Sequence, residues 1–156
     1  MRACLLLCFL TGWILTAQAS QPLKRFTTGS YQAILHHYQD KPFVLVLWSL
    51  DCPPCYEELE MLANFRKQQP YFNLLLVSID GVEAKAEAQD RLYNLGLLSV
   101  ENWIFTEAVS PQLLDQIDPS WYGVVPRSYL FDASHDRQAI TGLLRIETLQ
   151  AWLKKN

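Results

Sequence analysis

Two uninterrupted apolar runs dominate the hydrophobic pattern of the chain. They are Phe43–Leu50 (FVLVLWSL) and Phe72–Ile79 (FNLLLVSI), and both are rich in Val and Leu. Such runs are typical of strands that are buried on both faces of a sheet, because no polar face has to alternate with the apolar one. The segment between them, Pro53 to Lys67, has helical spacing, with prolines only in the first turn, where a helix tolerates them.

Shorter strands and helices complete an alternating pattern. The predicted strands are Leu23–Thr27, Asn102–Phe105, Arg127–Phe131 and Arg137–Thr141, and the predicted helices are Tyr31–Tyr38, Glu83–Leu95, Pro111–Ile117 and Ile146–Lys155. The resulting order, β-α-β-α-β-α-β-α-β-β-α, predicts an α/β domain with a central mixed sheet flanked by helices. The last two strands form a C-terminal hairpin that adds an antiparallel edge, and a helix follows it.

The first 19 residues have the layout of a secretory signal peptide. Arg2 precedes an apolar run from Ala3 to Leu15, and the small-residue pattern Ala17-Gln18-Ala19 follows. This run is shorter than the roughly 20 residues that span a bilayer, although an uncleaved membrane anchor is the alternative. We therefore expect residues 1–19 to be removed on export, to the periplasm or elsewhere outside the cytoplasm, and residues 20–156 to form a single domain.

Composition and charge narrow the class of protein. Half of the 156 residues are hydrophobic and 19% are charged, which is typical of a globular domain. The net charge of −3 provides no basic surface, so we expect no nucleic-acid partner. The length suits one domain better than two, and we expect a monomer.

Signal cleavage would leave only two of the four cysteines. Cys4 and Cys8 lie in the predicted signal peptide, whereas Cys52 and Cys55 flank two prolines in the motif CPPC. Exported domains normally use disulfides to join segments that are far apart in sequence. After signal cleavage, the only disulfide that this monomer could form joins Cys52 to Cys55. A bridge across so short a loop stabilises a fold least, so the pair favours a redox-active disulfide over a structural one.

The predicted place of the motif gives the two cysteines different roles. Cys52 falls where a buried strand ends and a helix begins, and the free N–H groups and helix dipole there stabilise a thiolate. Cys52 is thus the expected nucleophile and Cys55, one turn inside the helix, the expected resolving thiol. Glu58 follows on the face of Cys55 and is the candidate proton acceptor, because a carboxylate turned towards the core has a raised pKa. The alternative is an acid that only the helix dipole favours.

These residues resemble the motif F-W-x-x-W-C-x-x-C-x-x-E of the exported, thioredoxin-fold TlpA/ResA/CcmG-like group. Trp48, Cys52, Cys55 and Glu58 match it, and the segment 123–132 (GVVPRSYLFD) resembles the G-V-P-x-x-F-L-I-D-like segment found downstream. The resemblance extends over most of the chain and implies a thioredoxin fold and thiol–disulfide oxidoreductase activity that needs no cofactor. The implied partners are exported proteins with thiols or disulfides and, for a reductase, a membrane electron donor.

The resemblance also implies that Pro126 is a cis-proline that faces the dithiol. A cis X-Pro bond turns the chain sharply and exposes backbone polar groups. An extended partner could pair with the backbone of Val125 there, as an added strand. Val125 and Pro126 are therefore the candidate substrate-binding residues, and the alternative is an ordinary trans proline at the start of a strand.

Three positions depart from the family pattern. Asp51 replaces the usual Trp before the first cysteine, and its negative charge would disfavour the Cys52 thiolate and make the protein less oxidising. Val46 stands where thioredoxin has a core aspartate, which leaves the work to Glu58. Arg127 follows the candidate cis-proline, where a small Ser or Thr is frequent. A pair between Arg127 and Asp51, a contact with substrate and an ordinary surface arginine are the three interpretations.

The sequence leaves the direction of electron flow open, along with two metal-binding alternatives. A reductase of protein disulfides is the leading hypothesis, and a disulfide-forming oxidase of the same fold is the alternative. Two thiolates also suit Cu(I), so a copper-binding chaperone with His135 as a further ligand is a third hypothesis. Structural zinc needs four ligands, and His36 and His37 lie on a distant predicted helix, so zinc is disfavoured and the leading hypothesis includes no metal.

Overall fold

A computed structural model describes residues 22–156, and the predicted signal peptide lies outside this range. The strands are β1 (Lys24–Phe26), β2 (Phe43–Trp48), β3 (Leu74–Ser78), β4 (Glu101–Phe105), β5 (Arg127–Phe131) and β6 (Arg137–Thr141). The helices are α1 (Ser30–His37), α2 (Pro53–Gln68), α3 (Lys85–Asn94), α4 (Pro111–Ile117) and α5 (Ile146–Leu153), and a short 3-10 helix (Val82–Ala84) precedes α3. The order of strands and helices along the chain is the predicted one.

The strands form one mixed sheet in the order β1-β4-β3-β2-β5-β6. β1, β4, β3 and β2 pair in parallel, β5 pairs antiparallel to β2, and β6 pairs antiparallel to β5. This arrangement confirms the α/β prediction, including the antiparallel C-terminal hairpin. β2 is a central strand, and every one of its residues is buried, as its continuous apolar sequence predicts.

Helices cover both faces of the sheet, because alternate side chains of a strand point to opposite sides. On one face, Val46 of β2 joins a core that contains Leu62 of α2 and Leu149 of α5. On the other face, Leu45 joins a second core with Ile34 of α1 and with side chains of α4. The two cores explain why a run such as FVLVLW shows no polar alternation.

The strand register brings three distant segments to one edge of the sheet. Leu47 of β2 lies opposite Arg127 of β5, so Pro126, which precedes β5, lies at the level of Trp48. Ser78, the last residue of β3, also lies opposite Trp48, because β3 runs parallel to β2. The CPPC motif therefore begins beside the residues that precede β5 and the residues that follow β3.

Two helix ends differ from the prediction by two residues, and the other helix ends by one residue at most. The predicted third helix starts at Glu83, whereas α3 starts at Lys85, because residues 82–84 take the tighter 3-10 geometry. The last helix ends at Leu153 and not at Lys155. Across residues 22–156, none of the helices combines the length and the apolar character needed to span a membrane.

Candidate functional site

Cys52 and Cys55 form a disulfide at the N-terminus of α2. Their Cα atoms are 5.3 Å apart. Cys52 is the N-cap of the helix, and its Sγ accepts a hydrogen bond from the backbone N–H of Cys55 at 3.2 Å. Pro53 and Pro54 occupy the first helical positions, where a backbone N–H would have no acceptor within the helix. The Cys52 sulfur therefore lies at the positive end of the helix dipole, where a thiolate is stabilised.

Glu58 is buried one turn beyond Cys55, and only 1% of its surface is exposed. Its Oε1 accepts a hydrogen bond from the Ser128 hydroxyl at 2.5 Å, and its Oε2 accepts one from the backbone N–H of Leu144 at 3.0 Å. Burial raises the pKa of Glu58, and these two hydrogen bonds offset only part of the increase. The carboxyl group therefore titrates nearer to neutrality than an exposed glutamate does.

The loop before β5 carries the proline that the sequence singles out. The Val125–Pro126 peptide bond is cis, and Pro126 is buried. The Pro126 carbonyl accepts a hydrogen bond from the backbone N–H of Gly142 at 2.9 Å, which joins this loop to the segment that follows β6. The Trp121 indole donates to the Val124 carbonyl at 2.8 Å. Within residues 22–156, the backbone N–H and C=O of Val125 have no hydrogen-bond partner.

Arg127 does not pair with Asp51. Its guanidinium donates to Asp118 Oδ2 at 3.0 Å and to the hydroxyl of Thr141. The side chain is only 13% exposed, so the interpretation as an ordinary surface arginine is also wrong. The reason is the alternation of β5: Arg127 and Tyr129 share the face that α4 covers, whereas Asp51 leads into α2 on the other face.

Asp51 itself is exposed at the start of the motif. In the part of the chain that the structure describes, its carboxylate has no ion-pair partner. It remains a candidate modulator of the dithiol through its charge alone.

The structure adds polar residues that the sequence prediction missed. The Ser128 hydroxyl donates a hydrogen bond to the Glu58 carboxylate. Ser128 lies opposite Val46, the residue that stands where thioredoxin has its core aspartate, so this hydrogen bond lies beside that position. Asp80 accepts a hydrogen bond from the backbone N–H of Leu50, in the loop before Cys52. The sequence could have indicated this residue, because it comes two residues after the buried strand β3, which runs parallel to β2.

His135 lies far from the dithiol. Its ring packs against Phe43 and Phe131, and its Nε2 lies 3.0 Å from the Tyr38 carbonyl oxygen. Phe43 begins β2, so His135 sits at the opposite end of that strand from Cys52 and is not a third copper ligand. Residues 22–156 contain no cluster of three or more His, Cys, Asp or Glu side chains suited to holding a metal.

No protein-family model matches the chain, and no curated protein matches it. Several solved structures are similar in fold. A secreted disulfide oxidoreductase of Mycobacterium tuberculosis, homologous to E. coli DsbE, is 15% identical, with a TM-score of 0.60 over 78% of this chain and 86% of that one. StoA from Bacillus subtilis is 19% identical, with a TM-score of 0.56 over 74% and 84%. A DsbF homologue from Corynebacterium diphtheriae is 21% identical, with a TM-score of 0.61 over 78% and 76%.

At these identities the similarity establishes the fold. The neighbours are thioredoxin-like thiol:disulfide oxidoreductases. The mixed sheet, the disulfide at the start of α2 and the proline opposite the end of β2 agree with the architecture expected from the sequence motif. The chain therefore has the thioredoxin fold.

Proposed function

We propose that the chain is an exported thiol–disulfide oxidoreductase of the TlpA/ResA/CcmG-like group and that it reduces disulfides in other exported proteins. The observation that carries this proposal is the Cys52–Cys55 disulfide at the N-terminus of α2, with the buried carboxyl of Glu58 one turn further along. Export is supported by the signal-like sequence of residues 1–19 and by a structural neighbour described as secreted.

In the first step, the Cys52 thiolate of the reduced protein attacks one sulfur of a partner's disulfide. A bond forms between Cys52 Sγ and that sulfur, and the partner's own S–S bond breaks. The second partner sulfur leaves as a thiolate and takes a proton from solvent. Cys52 is the better nucleophile of the pair, because it caps the helix and is the more exposed of the two cysteines, at 5% against 1% for Cys55.

In the second step, Cys55 resolves the mixed disulfide. Its thiol loses a proton to the Glu58 carboxylate, and the thiolate attacks Cys52 Sγ. The Cys52–Cys55 bond forms again, and the partner's first sulfur leaves as a thiolate that is protonated afterwards. Glu58 has lone pairs to accept the proton, because an ionised carboxylate offers about four acceptor sites and only two are used here. Two electrons pass to the partner, and a membrane dithiol donor returns them.

The surroundings of Pro126 suit a polypeptide partner. Two exposed apolar side chains lie on the loop before β5: Tyr122 is 85% exposed and Val124 is 59% exposed. Leu143, which is 44% exposed, lies on the segment after β6, and the hydrogen bond from Gly142 to Pro126 joins that segment to the loop. These exposed apolar side chains offer contacts to a polypeptide segment bound beside the proline. The unpartnered backbone of Val125 adds a donor and an acceptor for an extended segment that carries the disulfide.

The charge of Asp51 favours reduction over oxidation. A negative charge beside Cys52 destabilises the thiolate, and a less stable thiolate makes the dithiol a better electron donor. The rival, a disulfide-forming oxidase, needs a strongly stabilised thiolate at the same site.

Trapping of mixed disulfides tests the proposal. A Cys55→Ser variant that carries residues 20–156 is incubated with oxidised exported proteins, and covalent adducts are separated with and without reductant. We expect the Cys55→Ser variant to form covalent adducts that the reductant cleaves, and the Cys52→Ser variant to form few adducts. Adducts with Cys52→Ser alone would reverse the order of attack, and adducts with neither variant would contradict the function.

A further inference from the structure

The loop that leads into Cys52 is held from one side by Asp80, which follows β3. Asp80 Oδ1 accepts a hydrogen bond from the Ser49 hydroxyl at 2.8 Å, and Oδ2 accepts one from the backbone N–H of Leu50 at 3.0 Å. The Ser49 oxygen in turn accepts a hydrogen bond from the backbone N–H of Asp51 at 3.2 Å. One carboxylate therefore fixes two successive peptide groups, one directly and one through a hydroxyl, just before the cysteine.

The same loop is held from the other side by Tyr56. The Tyr56 hydroxyl donates a hydrogen bond to the Leu50 carbonyl. Tyr56 lies on α2 one residue beyond Cys55, and the Arg91 guanidinium of α3 stacks over its ring at 4.2 Å. The peptide groups on both sides of Leu50 are thus bound by side chains from two different elements.

We infer that Asp80 and Tyr56 are positioning residues, which clamp the 49–51 loop so that Cys52 stays at the N-terminus of α2. This inference rests on the proposed function, because it assigns a role in preparing the nucleophile. The helix N-terminus stabilises a negative charge only within its first turn, so a small displacement of Cys52 weakens the effect. The clamp matters most in the reduced protein, where the bond between Cys52 and Cys55 no longer holds the loop against the helix.

Uncharged substitutions separate position from charge. Tyr56→Phe removes only the hydrogen bond to the Leu50 carbonyl, and Ser49→Ala removes the two hydrogen bonds of the Ser49 hydroxyl, the one it donates to Asp80 and the one it accepts from the Asp51 N–H. Asp80→Asn is less informative, because it also removes a negative charge and shifts the thiol in the opposite direction. The charged groups on the segments around Cys52 are Asp51, Glu57, Glu58, Asp80, Glu83, Arg91 and Arg127, and both substitutions leave all of them in place.

The experiment measures the alkylation rate of Cys52 against pH in reduced protein, with Cys55 replaced by Ser in every sample. We expect both variants to move the midpoint to higher pH. Alkylation near neutral pH should be slowed about three- to tenfold by Tyr56→Phe, which loses one hydrogen bond, and by at least as much by Ser49→Ala, which loses two. Tyr71→Phe is the matched control: Tyr71 is 95% exposed, lies beyond the far end of α2, and should alkylate like the parent protein.

A purely structural role predicts a lower melting temperature with an unchanged alkylation midpoint in both variants, and that result would overturn the clamp. The outcome is independent of the proposed function, since alkylation needs no partner protein. A shifted midpoint in a protein that never exchanges disulfides would support the clamp and overturn the function. Normal disulfide exchange with unshifted alkylation midpoints would support the proposed function and overturn the clamp.

Discussion

At the scale of single residues, Glu58 differs from its acidic neighbours in its surroundings and not in its chemistry. Glu57 and Glu60 are exposed, whereas Glu58 is enclosed by Ser128 and the backbone of Leu144. Burial raises the pKa of Glu58 above its ordinary value of 4.5. The folded protein therefore gains most from Glu58 below that value and loses this contribution as pH rises through the raised pKa.

Substitution of Glu58 by glutamine should slow resolution without removing the first attack. The amide keeps the shape and can accept from Leu144 N–H while it donates to the Ser128 oxygen, but it cannot take a proton. We expect the mixed disulfide of the otherwise native protein to decay on the order of a hundredfold more slowly. The decay rate of the wild type should increase with pH as the Glu58 carboxyl ionises, and the decay rate of Glu58→Gln should not show this increase.

Stopped-flow measurement of mixed-disulfide decay against pH checks this, with the exposed Glu57→Gln as the matched control. Equal decay rates and equal pH profiles in the wild type and Glu58→Gln would show that the carboxyl takes no part in the step.

The exposed Asp51 should act on Cys52 through charge alone. In Asp51→Asn we expect a lower thiol pKa at Cys52, by less than about one unit because the charge lies in solvent. The shift should shrink in about 1 M salt, where the screening length is short. The alkylation midpoint measures it, and Glu60→Gln, an exposed acid further along α2, is the control. A midpoint that does not move at low salt would leave Asp51 without influence on the dithiol.

The sequence predicts the local part of this site well and the long-range part poorly. Cys52, Cys55 and Glu58 share a helix, so their relation follows from helical spacing. Ser128 and Leu144 lie 70 and 86 residues from Glu58, and their approach depends on the pairing of β5 and on the segment after β6. No local pattern contains that information.

At the scale of elements, Asp118 joins the end of α4 to both strands of the C-terminal hairpin. It binds Arg127 of β5 at 3.0 Å and lies 3.6 Å from Arg137 of β6. The two guanidinium groups lie over the Tyr129 ring, 4.8 and 4.7 Å from its centroid, and the Tyr129 hydroxyl donates to Asp118. Burial alone would raise the pKa of Asp118, but hydrogen bonds from Ser120, Tyr129 and Arg127 outweigh it and lower the pKa to about 2.

Removal of this carboxylate should destabilise the fold. We expect Asp118→Ala to lower the free energy of unfolding by about 2–3 kcal/mol at neutral pH, because the largely buried guanidinium of Arg127 and the buried hydroxyl of Tyr129 lose their partner. Since the folded pKa is depressed from 3.8, the contribution is complete above that pH and is lost as pH falls towards about 2. The difference between the wild type and the variant should therefore shrink over this interval.

Urea unfolding at several pH values measures that difference. Lys24→Ala breaks a more exposed pair with Glu101, in which the lysine is 48% exposed, and should cost less than about 1 kcal/mol. A cost for Asp118→Ala no larger than that of this control would contradict the account.

The helices and strands themselves are the most predictable level. β5, β6 and α4 have the predicted bounds, because local signals mark them: Pro126 precedes β5, Gly142 follows β6, and Pro111 begins α4. The environment of the Arg127 side chain was harder to predict. The alternation of a strand shows which residues share a face, but the neighbours of the strand decide which element covers that face.

At the scale of the whole molecule, the fold assembles the candidate site from segments that are far apart in sequence. The end of β2, the loop before β5 and the residues after β3 meet at one edge of the sheet, so the dithiol, Pro126 and Asp80 become neighbours. The alternation of elements predicts the α/β class, and the motif resemblance predicts the thioredoxin fold. The strand order β1-β4-β3-β2-β5-β6 emerges only in three dimensions.

The reduction potential of the Cys52–Cys55 pair tests the central claim most directly. It is measured by equilibrating the protein with a glutathione or dithiothreitol redox buffer and following the tryptophan fluorescence or the thiol content. We predict a potential near or below about −200 mV, as in dithiols that donate electrons. A potential near about −120 mV would identify an oxidant and contradict the reductase. A pair that does not equilibrate at all would contradict a redox function.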